Sequence, residues 1–278
     1  MAKVLSISSQ VVHGHVGNSI TAFVLQRLGH EVLGLPTVIL SNRPGYPAIS
    51  GTRIAPETLE AILEAGAANG WLRDIDAIIT GYLPTEEHAA LCVRWLPRIK
   101  ELNPSSIYLC DPILGDEPAG VYIDEAAAKA VRDTLLPLAD LATPNIFELR
   151  WLTGAAIASL AEAADRAREL GPASVVVTSA PSESSDMLAN VLVTSGDVFT
   201  TTVARRKVLA HGTGDFFASF FLANVLAGKS LRRALENATA AMDAVLGLSE
   251  GQQELALVAS QDVWAGAMPA TVSAARLP

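Results

Sequence analysis

What most limits how this chain can fold is a steady alternation of short apolar runs with longer segments of helical pattern. KVLSISS (3–9) reads as a strand and VGNSITAFVLQRLG (16–29) as the helix after it. EVLGLPTVIL (31–40) and PETLEAILEAGAANG (56–70) repeat the pair, with Pro56 suited to a first helical turn. DAIITG (76–81) precedes EEHAALCVRWLPRI (86–99), and SIYLCDP (106–112) precedes DEAAAKAVRDTLL (124–136). LADLAT (138–143) precedes NIFELRWLTG, where Gly154 supplies a helix stop. ASVVVTS (173–179) is almost continuously apolar, as expected for a strand covered on both faces. Such alternation predicts an α/β architecture of three layers, with helices on both faces of a mostly parallel sheet. MLANVLVTSGDVFTTTVARRK (187–207) breaks the rhythm, because two strands about a turn at 195–197 add antiparallel character at an edge. Helices over 213–227 and 230–247 follow. No repeat or low-complexity linker divides the chain, so residues 1–278 are read as one domain.

Half of the residues are apolar and 18% are charged, enough to bury a large core. The net charge of -9 argues against a protein that coats nucleic acid. It does not exclude anionic ligands, because a local nest of amides overrules global charge. No apolar run approaches the ~18 residues of a membrane-spanning helix, and MAKVLSISSQ runs into a strand pattern without a signal peptide. The expectation is a cytoplasmic protein with no membrane partner. Cys92 and Cys110 form no CxxC or Cys/His cluster and read as core thiols.

Ligands of open α/β sheets sit beyond the carboxyl ends of the strands. Six strands here end in polar residues: Ser8, Ser9 and Gln10; Ser41 and Asn42; Thr80, Gly81 and Tyr82; Asp111; Thr143 and Asn145; Thr178 and Ser179. Two familiar nucleotide signatures are missing. The loop after the first strand reads HGHVGN, not GxGxxG, and GKS at 228–230 has Ala223 where a P-loop needs glycine. HGTGD (211–215) is different. It opens an apolar helix, so the amides of Gly212, Thr213 and Gly214 and the helix dipole suit phosphate oxygens. By itself Asp215 reads equally as an acid that suits a first helical turn. Asp111 ends a strand, and Asn145 and Glu148 lie on one helical face. Asp111 and Glu148 could share a magnesium ion through its waters, while Asn145 and Glu148 also form an ordinary capping box. The two readings are compatible.

Taken together, these motifs resemble the pyridoxal kinases of the ribokinase-like superfamily. The resemblance is carried by SISSQVVHGHVGN (6–18), TVILSN (37–42), TGY (80–82), DPILGD with GVYI (111–123), TPNIFEL (143–149), VVVTS (175–179) and GTGDFFA (212–218), spread over residues 4–228. It implies ATP-dependent phosphorylation of the 5′-hydroxymethyl group of pyridoxal, with pyridoxine and pyridoxamine as further B6 vitamers. In that light Asp215 matches the catalytic base, and Gly212, Thr213 and Gly214 match the anion hole. Asp111 and Glu148 match carboxylates linked to Mg2+. Asn145 and Thr178 match phosphate contacts, with Ser179 beside them, and Thr143 and Thr178 lie near a site for K+ or another monovalent cation. Ser9 matches the pyridine-nitrogen side; Val16 and Tyr82 match pocket walls. Residues 116–122 would form a flap over ATP, and the late hairpin with Val208 would flank the adenine. The family's habit implies a homodimer.

One stretch departs from the family. Many members carry a histidine, often followed by a threonine, after SN, whereas this chain reads SNRPGYP. Arg43 either faces solvent or turns inwards to hold the 3-hydroxyl of the ring. Two rival functions remain: a kinase for hydroxymethylpyrimidine, and a non-catalytic B6-binding protein. In the first branch a cysteine often takes the place that Thr213 holds here; the second would not need the complete set Asp111, Glu148, Gly212, Gly214 and Asp215.

Overall fold

The structure is a computed structural model, and it describes residues 1–182, 184–206, 209–266 and 272–277. The first half of the chain supplies β1 (Lys3–His13), α1 (Asn18–Arg27), β2 (Glu31–Asn42), β3 (Gly51–Arg53), α2 (Pro56–Ala68), β4 (Ala77–Thr80), α3 (Glu86–Leu102) and β5 (Ile107–Cys110). A small hairpin of β6 (Gly115–Asp116) and β7 (Gly120–Val121) follows, then α4 (Glu125–Ala130) and β8 (Leu141–Ala142). After these come α5 (Ile146–Thr153), α6 (Leu160–Arg168), β9 (Ser174–Ala180), β10 (Met187–Val193) and β11 (Val198–Ala204). The last elements are α7 (Thr213–Leu226), α8 (Leu231–Leu248), α9 (Gln261–Trp264) and β12 (Ala275–Arg276).

Ten strands form one sheet in the order β12-β11-β10-β9-β8-β5-β4-β1-β2-β3. The six from β9 to β2 are mutually parallel, so their carboxyl ends share one rim. Antiparallel strands close both sides: β10, β11 and β12 at one, β3 at the other.

The pleat sorts side chains into two layers, because successive strand residues point to opposite faces. Leu5, Ile7, Ile78, Tyr108, Val175 and Val177 pack on one face, under residues of α2 to α6 such as Leu59, Trp95 and Leu149. Val4, Ala77, Ile79, Leu109 and Val176 pack on the other, under α1, α7, α8 and α9. Helix α7 lies within that second layer, and its FFASFFLA run is buried on every side. A helix that is apolar all round belongs in a core. Each buried phenylalanine there contributes about 1.5–3 kcal/mol of burial.

The three layers and the mixed sheet agree with the sequence expectation, while several boundaries moved. β1 extends to His13 because it pairs with β2 beyond a register shift near Ser8 and Gln10. The segment read as one helix over 124–136 splits into α4, a wide turn at Val131–Leu135 and a tight turn at Leu136–Leu138, where Pro137 prevents a regular continuation. α6 escaped the sequence reading although Ser159 and Glu162 make a capping box at its start. β3, α9 and β12 are two to four residues long, too short to show periodicity.

Candidate active site

The polar strand ends meet along the shared rim, and main-chain bonds carry the parallel ladder beyond the strands. The Gly81 amide donates to the Ile7 carbonyl (2.9 Å), Asp111 to Thr80 (2.9 Å), Thr143 to Cys110 (3.2 Å) and Thr178 to Pro144 (2.9 Å). Rim residues are thereby held in order across β9, β8, β5, β4 and β1.

At the centre of the rim, Asp111 is 5% exposed, and its Oδ1 accepts a hydrogen bond from the Thr143 hydroxyl at 2.9 Å. Burial pushes its carboxyl well above the usual range, and the charges of Glu148 and Asp215 push the same way. Glu148 is 3% exposed and caps α5: its Oε2 accepts from the Asn145 amide (2.9 Å), and the Asn145 side chain accepts from the Glu148 amide (2.9 Å). Its Oε1 accepts from the Leu114 amide at 2.8 Å. Burial raises the Glu148 pKa, and the amides of Asn145, Leu114 and Gly115 offset only part of that. The capping reading of Glu148 is therefore realised, and the residue also ties α5 to the strand end before the β6–β7 hairpin. The hairpin falls where a flap was expected, and the Asn145 side chain donates to the Gly115 carbonyl at its base (2.9 Å).

Gly212, the N-cap of α7, adopts φ 90°, and among the described residues no side chain caps the amides of the helix. A Cβ at Gly212 would fall 1.9 Å from the His15 carbonyl oxygen and 3.5 Å from Val16, so the start of α7 presses on the loop after β1. Gly17, at φ 56°, closes that loop: a Cβ there would lie 2.2 Å from the Ser9 hydroxyl. Only glycine fits either position without strain. The Gly17 amide acts on Asp215 and favours its charged form. Burial nevertheless raises the Asp215 pKa to about 6, since one amide does not replace lost water.

Along the remaining rim, the Tyr82 amide donates to the Ser8 hydroxyl (3.0 Å) and its carbonyl accepts from Thr37 (2.7 Å), leaving the ring half-buried at the edge of the core. Thr178 pairs with Asn145 in an isolated parallel bridge. Ser179 takes φ 55°, and its amide donates to Asn190 Oδ1 at 3.2 Å. Val208 lies outside the described residues.

Arg43 does not face solvent, the first of the two directions expected for it; it turns inwards. The residue is 6% exposed, with Nε donating to Glu254 Oε1 (2.9 Å) and its terminal nitrogens to the carbonyls of Pro44 (2.9 Å) and Gln253 (2.7 Å). Nothing in the sequence announced Glu254, which belongs to no motif and meets Arg43 across 211 residues. Burial works to raise its pKa, but the Tyr46 hydroxyl, the Arg43 charge and the His15 amide hold the carboxyl below the usual range.

Among the described residues no three His, Cys, Asp or Glu side chains gather to hold a metal by themselves. Asp111 and Glu148 still suit a hard divalent cation that keeps several waters and bridges to phosphate, because such an ion needs only one or two carboxylates. Their raised pKa values show acids in want of a positive charge.

A mostly parallel sheet between two helical layers, with a carboxylate in the first turn of a helix that starts at its rim, defines an α/β fold of the ribokinase-like class. Residues 25–253 match a family model described as phosphomethylpyrimidine kinase. A pyridoxal kinase of Leifsonia xyli is 35% identical over 270 residues, 95% of either chain, and a pyridoxine/pyridoxal/pyridoxamine kinase of Bordetella avium is 39% identical over 84% of this chain and 80% of its own. Among solved structures, the pyridoxal kinase of Entamoeba histolytica superposes with a TM-score of 0.93 at 26% identity, covering 100% of both chains. That of Leishmania donovani in complex with ADP and pyridoxamine does so with 0.92 at 29% identity, also covering 100% of both. The chain belongs to the pyridoxal kinase family.

Proposed function

We propose that this chain transfers the γ-phosphoryl group of ATP to the 5′-hydroxymethyl group of pyridoxal, and of pyridoxine and pyridoxamine, giving the 5′-phosphate and ADP. The observation that carries the reading is Asp215: a carboxylate with its pKa raised to about 6, set in the first turn of a helix whose amides no side chain caps. In this reading Asp215 accepts the proton of the attacking hydroxyl. The amides of Gly212, Thr213 and Gly214 hold the phosphoryl oxygens as charge develops on them. Ser9, Val16 and Tyr82 line the acceptor side, while Asn145, Thr178 and Ser179 face the phosphates and the β6–β7 hairpin covers them. Complexes of the Leishmania donovani enzyme with ADP and pyridoxamine or pyridoxine support a nucleotide and a B6 vitamer as the two reactants.

ATP-dependent transfer requires a divalent cation. We assign Asp111 and Glu148 to Mg2+, which when bound neutralises phosphate charge, and Thr143 with Thr178 to K+ or another monovalent cation. Glu148→Gln keeps a capping side chain but removes the charge, so half-saturation by Mg2+ should rise by about tenfold or more. An unchanged titration with magnesium would leave Glu148 as a cap alone. The chain is further read as a single kinase domain over 1–278, working as a cytoplasmic homodimer. One sheet uniting β1 with β12 supports the single domain.

The description of the family model favours hydroxymethylpyrimidine as the second acceptor to try. An ADP-release assay with pyridoxal, pyridoxine, pyridoxamine and hydroxymethylpyrimidine separates the readings. We expect turnover with the B6 vitamers; turnover with hydroxymethylpyrimidine alone, or with none, overturns the proposal.

A further inference from the structure

We propose that Arg43 and Glu254 are a positioning pair that clamps the loop after β1 against the anion loop and so sets the acceptor side of the pocket. The inference deepens the proposed function and rests on it. Three segments far apart in sequence meet at one carboxylate. Glu254 Oε1 accepts from Arg43 Nε at 2.9 Å and from the Tyr46 hydroxyl at 2.8 Å, and Oε2 accepts from the His15 amide at 3.3 Å. The Arg43 guanidinium lies over the Tyr46 ring, 5.0 Å from its centroid, and donates to the Gln253 carbonyl at 2.7 Å.

The other side of the same loop is equally tight. A Cβ at Gly14 would lie 2.9 Å from Glu254 Oε2, and one at Gly212 would lie 1.9 Å from the His15 carbonyl oxygen. The stretch from Gly14 to Gly17 is thus held between Glu254 and the start of α7. Charge-assisted bonds fix direction as well as distance. A partly buried ion pair such as this one stabilises weakly compared with an apolar contact, but it can select one arrangement of the loops around it. Arg43 and Glu254 make no hydrogen bond to Asp111, Thr143, Asn145 or Thr178 among the described residues. Their loss therefore acts on the acceptor and on turnover, and spares the nucleotide.

The test compares wild type with Glu254→Gln, Arg43→Gln, the double variant and Glu254→Asp. It measures kcat and KM for pyridoxal, pyridoxine and pyridoxamine, and ADP affinity by calorimetry. Each single charge variant should lose about 10- to 100-fold in vitamer kcat/KM, the cost of small misplacement. ADP affinity should not change, the double variant should lose no more than the worse single, and Glu254→Asp should recover part of the loss. Where a charge variant fails to fold, Tyr46→Phe decides, since it removes one bond to Glu254 and keeps the ion pair; a severalfold rise in vitamer KM is expected. Unchanged vitamer kinetics in the folded variants, additive losses, or an equal loss of ADP affinity would each overturn the inference while the proposed function stands. A wild type that phosphorylates none of the vitamers overturns both.

Discussion

Two carboxylates touch the loop that follows β1, and the protein treats them in opposite ways. Asp215 feels the Gly17 amide on one side, and Glu254 accepts from the His15 amide on the other. Both lose water on folding. Glu254 gains an arginine and a tyrosine hydroxyl, so its pKa falls below the usual value; Asp215 gains only an amide, so its pKa rises to about 6. Among the described residues Asp111 and Glu148 lack a cationic partner as well, and they shift upward. The difference separates a carboxylate used to hold loops from carboxylates that retain an affinity for a proton or a metal ion.

The sharpest way to break this comparison is Asp215→Asn. If Asp215 is the base, kcat falls by about 10²–10⁴-fold, with ADP binding intact. The same assignment sets the pH dependence of the wild type. Asp215 acts only when deprotonated, so kcat/KM should be level above its pKa of about 6 and fall as pH drops below it. Near wild-type turnover in the Asn variant, or an acidic limb near pH 4, would remove the base role.

The smaller effect is on stability, and its sign differs between the two residues. The folded pKa of Asp215 is raised, so its favourable contribution is present below its unfolded pKa and lost as pH rises through about 6; at neutral pH its charge opposes folding. The folded pKa of Glu254 is depressed, so it stabilises above its unfolded pKa, and that stability is lost as pH falls through the folded value. At pH 7.5 Asp215→Asn should therefore raise the melting temperature and Glu254→Gln should lower it, each by a few degrees at about 2–4 °C per kcal/mol for a chain of this size. Shifts of the same sign in thermal unfolding would mean that the two environments do not differ as described.

Much of the nucleotide side was legible because its signals are local. GTGD announced a helix start with open amides, and TPNIFEL announced a cap that the structure realises between Asn145 and Glu148. The carboxyl-end rim followed from the parallel alternation, which also explains why Ser8, Thr80, Asp111, Thr143 and Thr178 fall in one row. The acceptor side was harder to read. Arg43 stood out as a departure, yet its partner Glu254 could not be foreseen, since it is remote in sequence. Asn190, which holds Ser179 at positive φ, was read only as part of a strand.

By itself, then, the sequence determined the layers, the parallel core of the sheet and the chemistry of its rim, because period-2 and helical patterns, caps and glycine turns act over a few residues. Only the tertiary structure decided how the acceptor-side loops lock together. Whether a carboxylate gains a cation or is left to lose water alone depends on contacts across more than two hundred residues. No local pattern encodes that choice, and it sets Glu254 apart from Asp215.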